Sequence, residues 1–77
     1  MSAYEAMFQG QGNVCAICKA IPNPKRVAVD HDHKTGIIRG ILCHLCNTAI
    51  GLMKDNPEIL IEAAKYLRER NGTAKAQ

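Results

Sequence analysis

With 77 residues the chain is read as a single domain over 1–77, too small for a hydrophobic core alone to hold it securely, so a metal or disulfide staple is expected. Apolar residues make up 47%, yet there is one Phe, two Tyr and no Trp, which leaves the core poor in large side chains. With a net charge of +3, any pull towards nucleic acid must come from local clustering rather than overall charge, and no stretch is apolar enough to span a membrane.

In chain order, "AYEAMFQ" sets Ala3, Ala6 and Met7 at helical spacing before Gly10 and Gly12, which predicts a short N-terminal helix over 3–9. The opening "MSAYEAMFQGQG" lacks the charged and apolar regions of a signal peptide, so reducing cytosol is the expected compartment. "NVCAICKAIPNPKR" reads as a knuckle and then a loop, because Pro22 and Pro24 exclude regular structure between them. The β-branched run over 27–29 and the stretch Ile37–Leu42 read as two short strands of a hairpin turned near Gly36.

From Cys43 the pattern becomes helical, with Leu45, Ile50 and Met53 placed to share a face and Gly51 weakening it. The clearest element follows in "DNPEILIEAAKYLRERNG". Asp55 or Asn56 caps it, Pro57 suits its first turn, Glu58 complements the helix dipole and Gly72 stops it. Leu60, Ala63, Ala64 and Leu67 line one face, and the final "TAKAQ" is expected to fray. The class is therefore α+β.

Cys15, Cys18, Cys43 and Cys46 form two C-x2-C pairs separated by 24 residues. In a reducing compartment such pairs read as a metal site rather than as disulfides. Together they complete the tetrahedral sulfur shell that zinc favours, and four protein ligands leave no open position, so the site is structural. Four thiolates around one dication would take two units from the net charge, leaving the molecule only weakly basic. His44, lying between two of the cysteines, reads as a surface residue.

Between the cysteine pairs lies "DHDHKTG", Asp30 to Gly36, which holds two of the three histidines. In a regular strand Asp30 and Asp32 would face one way and His31 and His33 the other. A break in regularity would let neighbours converge. Asp offers a hard oxygen suited to magnesium or manganese, and an unligated His can deprotonate water. Asn47, directly after Cys46, can add an amide oxygen. On these residues alone, a catalytic site and a solvated polar turn remain equally open.

The motifs "CAIC", "VDHDHKTGIIRGILCHLCN" and "AIGLMKDNPEILIEAAKYL", taken together over about 13–67, resemble the recombination endonuclease VII family of the wider His-Me finger (HNH-like, ββα-metal) nucleases. The resemblance implies a zinc-stabilised ββα-metal fold with a core over about 13–71, and hydrolysis of DNA phosphodiesters. It implies that Asp30 and Asn47 bind the catalytic magnesium or manganese, that His31 is the general base, and that His33 orients or contacts the phosphate. The four cysteines match the family's structural zinc site.

Arg39 and Lys34 flank this stretch and are candidates for phosphate contacts, with Lys25, Arg26 and Lys54 weaker ones. Gly36 and Gly40 are assigned to backbone geometry. The family is common in phages, which implies action in the cytoplasm of a bacterial host, and its longer members dimerise and cut branched DNA. This chain stops soon after its last predicted helix, near Asn71, so nicking with low sequence specificity is expected, as monomer or homodimer. Competing expectations are a non-catalytic zinc module binding nucleic acid or protein, and a nuclease core that needs a partner.

Overall fold

The computed structural model describes residues 2–73. Three α-helices and one two-stranded antiparallel sheet are present among them: α1 (Ala3–Gly10), β1 (Val27–His31), β2 (Ile38–Cys43), α2 (His44–Leu52) and α3 (Pro57–Thr73), with one 3-10 turn at Pro24–Arg26. The α+β class expected from the sequence is the one observed. The 3-10 turn departs from the fully irregular proline loop that was expected, because the Asn23 side chain accepts from the Lys25 N–H and Pro24 supplies the fixed φ of a first helical position.

Helix α1 starts in a reciprocal capping box, Ser2 bonding the Glu5 N–H and Glu5 the Ser2 N–H. At its other end Gln11 reaches across to the sheet. Its side-chain amide accepts from the Ile41 N–H at 2.8 Å and donates to the Ile41 carbonyl at 2.9 Å and to the Val14 carbonyl at 2.9 Å. The side chain thus stands in for a third strand at one residue of β2. Gly40 is fixed by this approach, since a Cβ there would lie 3.2 Å from the Gln11 Oε1. Gln11→Ala would leave the Ile41 N–H and the Val14 carbonyl without this partner, while the Ile41 carbonyl keeps the Ala16 N–H, and an expected loss is about 1–3 kcal/mol. A lower denaturant midpoint with an unchanged slope checks this.

Cys15, Ile41 and Leu42 form the buried apolar core among the described residues. Many large apolar side chains elsewhere stay exposed, Ile21 at 84% and Leu52 at 77% among them. Leu45 is 76% exposed and does not share a buried face with Ile50, which is half-buried. Cys43, at the start of α2, and Cys46 within it belong to the sulfur cluster.

Asn56, not Asp55, caps α3, its side chain accepting from the Glu58 and Ile59 N–H groups. The expected apolar face of α3 is covered only in its first half. Leu60, Ala63 and Ala64 are half-buried but Leu67 is 55% exposed. The helix runs one residue past Gly72, to Thr73, and the rest of the expected frayed tail, 74–77, lies outside the described residues. No described helix is long and apolar enough to cross a membrane.

Candidate active site and metal centre

The cysteine cluster is built by two local devices. In the first knuckle the chain turns back on itself through Lys19 N–H to the Cys15 carbonyl and Cys15 N–H to the Ala20 carbonyl, with Lys19 at φ +65°. In the second, Cys43 closes β2 and caps α2, its Sγ accepting from the Cys46 N–H at 3.4 Å. The four sulfurs lie within 4.8 Å of one another.

Burial opposes ionisation at Cys15, yet backbone N–H groups of Cys43, Cys18 and Ile17 and the Cys18 thiol bring it down to about 6. Burial, followed by the three neighbouring sulfurs, pushes Cys46 up to about 12. Cys15 is thus eased towards the anion while Cys46 resists ionisation. A dication removes that resistance, and the tetrahedral all-sulfur donor set fits zinc. His44, the first residue of α2, is exposed and outside the set.

The same junction places the second site. Because α2 begins where β2 ends, Asn47 stands one turn into the helix beside β1. The sheet pairs Val27 with Cys43, Ala28 with Leu42, Val29 with Ile41 and Asp30 with Gly40, but His31 pairs with Ile38. Arg39 is the extra residue of a bulge on β2, and the pairing register shifts between Asp30 and His31. Asp30, His31, His33 and Asn47 line one cavity of about 310 Å³ here, with Asp55 joining them.

Each member is held differently. Asp30 accepts a bidentate pair from Arg39, Nε at 2.7 Å and Nη2 at 2.9 Å, and its side chain is only 12% exposed. The same Arg39 Nη2 lies 3.2 Å from the Asp55 Oδ2, and the His33 Nε2 lies 3.4 Å from that oxygen. Hydrogen bonds to Asp30, and after an opposing burial effect those to Asp55, hold the Arg39 guanidinium more firmly charged than usual. The His31 imidazole and the Asn47 amide have no hydrogen-bond partner among the described residues.

Asp32 has a structural task. Its Oδ1 accepts from the Lys34 and Thr35 N–H groups, its carbonyl from Gly36 N–H, and its own N–H bonds the Ile37 carbonyl. The two side-chain bonds, first Thr35 and then Lys34, hold its carboxyl below the usual range. Gly36, at φ +75°, takes the left-handed turn position. This Asx turn reverses the chain and sends His33 back over the cavity.

Lys34 and Arg39, the expected phosphate contacts, line a second, larger cavity of about 660 Å³ with His33, Lys54 and Asp55. The two cavities adjoin through His33, Gly51 and Asp55. Lys25 and Arg26 sit apart, exposed on the 3-10 turn. Asp55 was foreseen only as a possible helix cap. Left-handed backbone at Lys54 and Asp55, φ +59° and +54°, turns it towards the site instead.

A sequence model described as recombination endonuclease VII matches residues 1–69. The chain belongs to the recombination endonuclease VII family. Two further relatives are the Gene 59 protein of Mycobacterium phage D29, 50% identical over 68 residues, and the Gene 59 protein of Mycobacterium phage L5, 46% identical over 66. The aligned segments cover 86% and 83% of this chain but 41% and 40% of the phage proteins, so this endonuclease VII family chain spans about two fifths of those relatives. No solved structure matches it.

Proposed function

We propose that the chain is a metal-dependent endonuclease unit of the His-Me finger type, which hydrolyses DNA phosphodiester bonds by nicking, with low sequence specificity. The observation that carries the reading is the convergence of Asp30, His31, His33 and Asn47 on one cavity in a chain of the endonuclease VII family. A phage-related protein of this kind would act in the cytoplasm of a bacterial host, with the nuclease unit spanning 1–77.

Three groups of residues divide the work. His31, unpartnered and beside the cavity, accepts a proton from the attacking water. Lys34 and Arg39 at the mouth hold phosphate oxygens, and His33 contacts or orients the phosphate. Asp30 and Asn47 offer hard oxygens from facing elements. A guanidinium already neutralises the half-buried Asp30 carboxylate, so the position suits a cation. Bound there, magnesium or manganese would neutralise phosphate charge and stabilise the leaving 3′ oxygen. The zinc cluster does no chemistry; it locks the β2–α2 junction that brings Asn47 opposite Asp30.

Asn47→Ala tests the assignment. Its cleavage of duplex DNA should require distinctly more magnesium than the wild type, at unchanged zinc content. Superimposable magnesium titrations would remove Asn47 from the site.

A further inference from the structure

The proposed function gives the Asp30 carboxylate to a metal ion, yet both of its oxygens are engaged by Arg39. A guanidinium and a dication on one carboxylate repel each other, so the two partners exclude one another. Arg39 is built to let go. It is the extra residue of the bulge, its side chain is 38% exposed, and its Nη2 is shared between Asp30 at 2.9 Å and Asp55 at 3.2 Å. On leaving Asp30 it keeps one carboxylate, on the side of the larger cavity that Arg39 and Asp55 both line.

Asp55 is held for this by more than chance exposure. Two successive non-glycine residues, Lys54 and Asp55, adopt left-handed backbone, a conformation that costs side-chain-bearing residues free energy. The neighbouring Asn56 takes the capping duty of α3, which leaves the Asp55 carboxylate free to face the bulge.

We propose that Arg39 and the catalytic metal ion are alternative partners of Asp30, and that Asp55 is the positioning residue that receives Arg39 and keeps it at the cavity mouth, facing the substrate phosphate. The inference rests on the proposed metal role of Asp30. Arg39 thereby guards the empty carboxylate and becomes a phosphate contact once Asp30 is given over to the metal.

Manganese binding to the zinc-loaded protein, followed by titration calorimetry, tests this without any cleavage assay. Arg39→Gln removes the competitor, and about tenfold tighter binding or more is expected, the scale on which a neighbouring charge shifts a carboxylate equilibrium. Asp55→Asn keeps a residue that tolerates left-handed backbone but removes the charge that draws Arg39 away, so manganese should bind several-fold more weakly. In the Arg39→Gln background the same Asp55→Asn change should have little effect, within about twofold, because its partner is gone.

Unchanged or weaker binding in Arg39→Gln would overturn the competition. An equal loss from Asp55→Asn in both backgrounds would show that Asp55 acts on the ion itself and is no positioning residue. Asp30→Asn separates the two levels of the argument. Binding that ignores it, or is absent from wild type and Arg39→Gln alike, removes the metal role of Asp30 and this inference with it. Asp30-dependent binding that Arg39→Gln leaves unmoved removes this inference alone.

Discussion

Stripping the metal from the Cys15, Cys18, Cys43 and Cys46 cluster is expected to unfold the chain. Among the described residues the buried apolar side chains are few, Cys15, Ile41 and Leu42 with Pro22, and Cys15 belongs to the cluster itself. The cluster ties the first knuckle to the point where β2 becomes α2, a connection that apolar contact alone makes weakly. A structural zinc contributes about 10–16 kcal/mol in small metal-folded units, as much as the whole stability of an ordinary domain, about 5–15 kcal/mol.

Cys46, pushed up to about 12, stays a thiol at neutral pH, packed against neighbours that favour an anion at Cys15. Far-UV circular dichroism and thermal melting before and after a strong chelator make the check. Loss of helical signal, restored by added zinc, is the expected result. An unchanged melt would mean that the cluster is a set of reduced thiols with little part in the fold.

His31→Ala is expected to lower cleavage by about 10²–10⁴-fold, the usual contribution of a positioned general base, while melting and zinc content stay at wild-type values. His31 is exposed at the end of β1 and its imidazole bonds none of the described residues, so its loss removes no hydrogen bond from them. The Asp32 turn and the cysteine cluster, which do hold the hairpin, are untouched. His33→Ala should cost less, because His33 is 83% exposed and tethered only at 3.4 Å to Asp55. Rates measured at saturating magnesium separate the two histidines. Equal losses would argue against His31 as the base.

Much of this arrangement is legible in the order of residues. Cysteine spacing announces the cluster, the β-branched run and the Gly36 turn announce the hairpin, and Asn56-Pro57 announces the start of α3. What decides the site is not. A period-two reading separates Asp30 from His31, yet both line one cavity, at the point where β2 carries an extra residue, Arg39. Nothing in β1 signals a bulge that belongs to its partner strand.

Gln11 escapes notice for a related reason. Its partners at Ile41 lie 30 residues away, and a side chain imitating a strand leaves no pattern in its own neighbourhood. Asp55 reads as a helix cap by local chemistry, and only its left-handed backbone shows otherwise. The apolar pattern misplaces Leu45, which stands 76% exposed between the two cysteines that α2 and its N-cap give to the cluster.

Cleavage of supercoiled plasmid in magnesium, wild type beside His31→Ala, with zinc content and circular dichroism matched, addresses the central claim most directly. Nicked circles from the wild type and a loss of at least about a hundredfold in the variant are the predicted result. Equal cleavage by both proteins, or none by a folded, zinc-loaded wild type, would contradict the assignment of this cavity as a nuclease active site.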